Sequence, residues 1–208
     1  MSGEVGAPSP MRILLIAAGR CGSSALARAL AAQCDLTFLD EPLIPDRRKP
    51  GCPDAFFVQN ILTAPLPPRL VLKDIAVLGP ENAASVGFYI KLAERFDHVV
   101  LMNRRDTQAH VTSILHAHQY GTWTDKYTPQ PLGPLAMHRE HLAYFARVQQ
   151  VLAALAEQTD WQTLWYEDVF VADPSACSAA VQQAGLPITW NAETFAAHLH
   201  PSGQYRRG

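Results

Sequence analysis

Two kinds of apolar pattern alternate along this chain. Short runs at 12–17, 36–39, 69–72, 98–102 and 161–166 have the length and composition of buried strands. Between them, near 24–33, 84–95, 107–118 and 135–158, apolar residues recur at the three- and four-residue spacing of amphipathic helices. Strands that alternate with helices predict an α/β fold, with a parallel sheet flanked by helices on both faces. Two stretches break the rhythm. Residues 40–68 hold seven prolines together with Arg47-Arg48-Lys49. They predict an irregular insertion over the carboxyl edge of the sheet, where open α/β sheets bind ligands. Tyr120 to Pro134 carries Trp123, Tyr127 and three prolines. It reads equally as the wall of an acceptor pocket or as an aromatic surface loop.

The first strand–turn–helix unit carries the most chemistry. Ile13 to Ile16 predicts a central strand, and Leu26, Ala29 and Leu30 lie on one face of the helix that follows. Gly19 and Gly22 let the intervening turn take backbone angles closed to other residues. Ser23 or Ser24 is placed to cap the helix. Free N–H groups and the dipole at such a helix start favour an anion, above all a phosphate. An ordinary strand–turn–helix corner has the same outline. The turn lacks the Gly-Lys-Ser/Thr ending of nucleotide kinase loops, and it lacks the Gly-x-Gly-x-x-Gly of dinucleotide sites.

Arg20-Cys21-Gly22-Ser23-Ser24 resembles the 5′-phosphosulfate loop of sulfotransferases, the enzymes that use 3′-phosphoadenosine 5′-phosphosulfate (PAPS). Three further segments resemble that family, in the family's order. Arg105-Asp106 follows the fourth apolar run, and Ser113 stands eight positions past Arg105, the spacing of the family's 3′-phosphate motif. Arg presents a donor fork to phosphate oxygens, and a Ser two turns into the helix adds a hydroxyl. Thr107 stands where the family has Pro and can start the helix by capping. Glu41-Pro42-Leu43 resembles the Glu-Pro-Leu of the Golgi carbohydrate enzymes, with Glu41 nineteen residues past Gly22. Tyr166-Glu167-Asp168-Val169 with Pro174 resembles the family's late Tyr-Glu-Asp-Leu segment. We read Glu167 and Asp168 as structural, capping the next helix or orienting the first loop.

The resemblance implies a P-loop nucleotide-kinase-like sulfotransferase fold over residues 11–208, after a flexible tail at 1–10. It implies in-line transfer of a sulfuryl group from PAPS to a hydroxyl or amine. Arg20, Cys21, Gly22, Ser23 and Ser24 would hold the phosphosulfate, and Arg105 and Ser113 the 3′-phosphate. Glu41 would be the general base, which attack by a neutral hydroxyl requires. An exposed acid before a proline turn shows the same dipeptide. Lys73, at the end of the third strand, would contact sulfate or acceptor, or is a charged strand-end residue with no catalytic part. Arg206-Arg207-Gly208 resembles the late Arg-Lys-Gly with which cytosolic sulfotransferases clasp the 3′-phosphate. No metal is implied. The acceptor is a small molecule or a glycan, with glycolipid and peptide tyrosine also open.

Composition narrows the classes. The 208 residues, 48% hydrophobic and 17% charged, suit one globular domain. A net charge of −2 gives no reason to expect nucleic acid as partner. The longest apolar run, Ile13 to Ala18, is too short to span a bilayer, and the first ten residues lack the features of a signal peptide. These features predict a cytoplasmic enzyme with no integral membrane segment. The four cysteines have no Cys-x-x-Cys spacing and predict free thiols. Cys21, inside the anion loop, invites a lowered pKa from the helix dipole and Arg20. No His-Glu-x-x-His motif occurs. Two other classes stand beside the sulfotransferase: a small-molecule kinase of related fold, which would want a loop Lys that is missing, and a non-catalytic nucleotide-binding module.

Overall fold

The computed structural model describes residues 9–43, 60–76, 86–120 and 139–188. Most of the proline-rich insertion, most of the stretch Tyr120 to Pro134, most of the N-terminal tail, and Arg206 and Arg207 lie outside the described residues. Five strands form one sheet: β1 (Met11–Ala17), β2 (Thr37–Asp40), β3 (Arg69–Ile75), β4 (His98–Asn103) and β5 (Thr163–Trp165). Their spatial order is β2-β3-β1-β4-β5, and every pairing is parallel. The helices are α1 (Ser23–Cys34), α2 (Val86–Ala93), α3 (Thr107–Tyr120), α4 (Arg139–Gln158), α5 (Tyr166–Phe170) and α6 (Pro174–Gln183). The fold is the expected α/β class, a parallel sheet flanked by helices with the glycine turn directly after the central strand.

Side-chain alternation along β1 builds two cores. Ile13, Leu15 and Ala17 face a cluster with Leu26 and Leu30 of α1, Val169 and Phe170 of α5, and Val181 of α6. Leu14 and Ile16 face the opposite cluster, with Tyr89 and Leu92 of α2 and Val148, Leu152 and Leu155 of α4. A strand buried on both faces reads as a continuous apolar run, which is why β1 was legible.

Register sets the carboxyl ends of the strands level. Ala17 pairs with Ile75 and Met102, Asp40 with Lys73, and Asn103 with Trp165. Single bonds carry the ladder just past these ends, from Glu41 N–H to the Lys73 carbonyl at 2.7 Å and from Ala18 N–H to the Met102 carbonyl at 2.9 Å. The motifs noted in the sequence therefore share one rim. β3 runs three residues beyond the predicted end at 72 because its charged residues find partners inside. The last strand is shorter than predicted, since Tyr166 already opens α5. Among the described residues, no helix is long and apolar enough to cross a membrane.

Candidate functional site

The loop between β1 and α1 is held from three sides. At its end, Gly22 is the residue before α1 and has a left-handed backbone, φ 84°. Ser23 and Ser24 lie inside the first turn instead of capping it, and no side chain caps the helix. A glycine is required here twice over. The φ value is open to it, and a Cβ built on it would sit 2.5 Å from the Phe170 ring. Arg20 also has a positive φ, 66°. Its Nε donates to Ser113 Oγ at 3.3 Å, which joins the loop after β1 to α3. Behind the loop, Cys21 is fully buried and its thiol lies 3.6 Å from the Met102 carbonyl. Burial pushes this thiol up from its ordinary value, and the lowering by bonds to Ser23 and by Lys73 does not overcome that. The sequence had suggested the opposite sign, because it showed the helix dipole and not the burial. Cys21 packs the loop from beneath.

On the other side of β1, the rim carries a cluster of charge. Lys73 is 2% exposed, and its Nζ is bonded to Glu41 Oε1 and lies 3.4 Å from Asp40 Oδ1. The ammonium is thus turned onto the two carboxylates at the end of β2. Glu41 has φ 51°, so the chain leaves β2 through a left-handed residue that presents this carboxylate to β3. Next along β3, Asp74 is fully buried on the α2 side, where Tyr89 Oη donates to its Oδ2 at 2.9 Å. Its Oδ1 has no hydrogen-bond partner among the described residues. Burial raises the Asp74 carboxyl from its ordinary value to about 7; Glu41 adds to the rise, and the Tyr89 bond and Lys73 oppose it.

At the end of β4, Asn103 exchanges hydrogen bonds with Gln149 of α4 at 2.7 and 3.1 Å. Arg104 stacks on the Tyr166 ring, 4.4 Å from its centroid. Arg105, 49% exposed, places its guanidinium fork on both oxygens of Asp168. Glu167 accepts from the N–H groups of Arg105 and Asp106 at 3.0 and 3.1 Å. The acidic pair of α5 therefore orients the Arg105 turn. The residue that braces the first loop is Phe170, from the same helix. The cap of α6 is Asp173, which accepts from Ser175 and Ala176 N–H at 3.0 and 3.1 Å.

Sequence reasoning missed His110. It is fully buried on α3, and its Nε2 lies 2.6 Å from the Gly19 carbonyl. Its position one turn before Ser113 was the available signal. Of the predicted residues, Arg20 and Ser113 are brought into contact, as are Glu41 and Lys73. Arg105 occupies the same rim with its fork on Asp168. A cavity of about 410 Å³, lined by Ile90, Phe96, Val99 and Trp161 among others, opens at the opposite, amino end of β4.

No family model matches the chain, and no curated protein matches it. Solved structures do. A sugar kinase from a Janibacter species is similar at 12% identity and TM-score 0.45, over 86% of this chain and 96% of that one. The shikimate kinase of Bacteroides thetaiotaomicron is similar at 14% identity and TM-score 0.44, over 84% and 96%. A gluconokinase from Sinorhizobium meliloti follows at 15% identity and TM-score 0.31, over 73% and 97%. At such identities and TM-scores the likeness says nothing of the reaction.

Proposed function

We propose that this protein is a PAPS-dependent sulfotransferase. One observation carries the reading: Arg20 Nε on Ser113 Oγ joins the phosphosulfate-type loop to the 3′-phosphate-type helix. A ligand with anionic groups at both ends of a nucleotide would meet both motifs at once. The donors suit such an anion. The first N–H groups of a helix have no intrahelical carbonyl to bond, Arg20 adds a cation, and Ser113 and Arg105 add further donors.

Bound PAPS would supply the sulfuryl group. The acceptor oxygen bonds to sulfur as the sulfur–oxygen bond to the 5′-phosphate breaks. Glu41 takes the acceptor proton, and Lys73 holds that carboxylate in place from the neighbouring strand. The loop N–H groups and Arg20 take up the charge that grows on the departing phosphate. In the ligand-bound protein Arg105 would exchange Asp168 for the 3′-phosphate.

A second reading is phosphoryl transfer to a small molecule, the class of reaction named for the structural neighbours above. The absence of a Lys in the loop weighs against it. A non-catalytic nucleotide-binding module is the third. One assay separates the three: the protein is incubated with labelled PAPS or ATP and a panel of sugars, glycolipids, alcohols and tyrosine peptides. Sulfated product supports the proposal. Phosphorylated product from ATP, or nucleotide binding with no product across the panel, overturns it.

A further inference from the structure

His110 is an expensive residue for its position. Its side chain is wholly buried, packed edge-on against Phe145 with ring centroids 5.1 Å apart. Nδ1 has no hydrogen-bond partner among the described residues. Aromatic packing alone would be served as well by Phe, without an orphaned lone pair. What the imidazole adds is one bond, 2.6 Å from Nε2 to the Gly19 carbonyl. A carbonyl only accepts, so Nε2 carries a proton. A charged ring would bury a second N–H without a partner among the described residues, so the neutral form with Nδ1 bare is favoured. Burial lowers its pKa, the positive charge of Arg104 lowers it further, and the Gly19 bond and Glu167 oppose this.

The bond fixes a peptide plane. The described residues have no cis peptide bonds, and in a trans peptide the carbonyl and the following N–H point in opposite directions. Holding the Gly19 carbonyl against α3 turns the Arg20 N–H away from α3. The same residue has the positive φ noted above, and its guanidinium reaches Ser113, one turn past His110. α3 therefore grips two consecutive loop residues, one through main chain and one through side chain.

We propose that His110 is a positioning residue of the anion loop: its Nε2–H pins the Gly19 carbonyl to α3, which presets the loop and couples it to the helix that offers Ser113. A ligand bearing one phosphate-type group at the loop and another at Ser113 then meets both in register, without the cost of ordering the loop. The inference rests on the proposed reading for the identity of that ligand, and on the geometry alone for the pin.

The test has two arms in the full-length protein. The first reads the pin without ligand. Imidazole nitrogen shifts of labelled protein at pH 8 should show the Nε2-protonated neutral tautomer; the neutral tautomer protonated on Nδ1 instead overturns the proposal. The second compares wild type, His110→Phe, His110→Gln and His110→Asn by calorimetry with 3′-phosphoadenosine 5′-phosphate. Gln carries its amide as far out as Nε2, whereas Asn stops at the depth of Nδ1. His110→Phe and His110→Asn should each weaken binding at least tenfold, and His110→Gln should stay within about threefold of wild type. Should His110→Phe fail to fold, the Gln and Asn pair still decides, because both are amides and differ in reach; equal affinities overturn the pin. Should wild type not bind this nucleotide, the sulfotransferase reading fails, and the same four proteins are compared with inorganic pyrophosphate. The same order of affinities then upholds the pin, and equal affinities overturn it.

Discussion

Gly22→Ala tests the bracing of the anion loop, and its cost can be built from two parts. The backbone at Gly22 has φ 84°, and a left-handed conformation costs a residue with a Cβ about 1–2 kcal/mol. The new methyl would also sit 2.5 Å from Cε2 and 2.8 Å from Cζ of Phe170, closer than carbon atoms tolerate. Phe170 is itself buried among Val169, Cys177 and Val181, so the ring cannot swing clear. Overpacking of that kind adds about 1–3 kcal/mol. The substitution should therefore lower the unfolding free energy by about 2–5 kcal/mol. Urea unfolding of wild type, Gly22→Ala, Phe170→Leu and the double variant measures it. The smaller Leu leaves room for the methyl but does nothing for φ. The double variant should thus recover at least about 1 kcal/mol relative to the sum of the single effects. A Gly22→Ala protein as stable as wild type would refute the argument outright, and strict additivity would refute the role of Phe170.

Three further outcomes follow from the site. Lys73→Met leaves the Glu41 and Asp40 carboxylates facing an uncharged side chain in a largely buried cluster, so stability should fall by about 3–5 kcal/mol and Glu41→Gln in the same protein should restore part of it, read by denaturant midpoints. Glu41→Gln alone should reduce turnover by about 10²–10⁴ with nucleotide affinity unchanged in calorimetry, since the amide cannot take the acceptor proton. Arg105→Ala should weaken binding of 3′-phosphoadenosine 5′-phosphate by about 1.5–3 kcal/mol and abolish its preference over AMP. A pH series tests Asp74. Its carboxyl is raised to about 7 in the folded protein, so between its unfolded value near 4 and pH 7 the folded state binds the extra proton. The contribution of Asp74 to stability is complete below that window and is lost as pH rises through it. Asp74→Asn should remove this downward slope, and a wild type whose slope equals that of the variant would show that Asp74 ionises normally.

The α/β class and the place of the glycine turn were legible because the central strands β1 and β4 sit between two apolar layers, and burial on both faces leaves runs of Ile, Leu and Val. The end of β3 was not. Lys73 and Asp74 look like solvated residues until Glu41, Asp40 and Tyr89 are brought to them, and those partners come from other strands and helices. The spacing of Arg105 and Ser113 gave their shared rim, whereas the grip of Asp168 on Arg105 depends on how α5 is set against β4. Cys21 was misjudged for the same reason: a helix dipole can be inferred from sequence, but the depth at which the thiol lies cannot. His110 escaped notice because one buried histidine on an amphipathic helix carries no pattern of its own.

The short helix α5 has a consequence for how the protein is made. Its Glu167 holds the Arg105 turn through two main-chain bonds, and its Phe170 lies against Gly22. Both segments are thus translated well before the piece of chain that steadies them. A nascent chain that has emerged only as far as α3 possesses the loop, the arginines and Ser113, yet it lacks the wedge that sets their distance. The ribosome must deliver residues 166–170 before the two segments are braced. A protein truncated ahead of Tyr166 would accordingly carry Arg20, Arg105 and Ser113 without the helix that braces their segments.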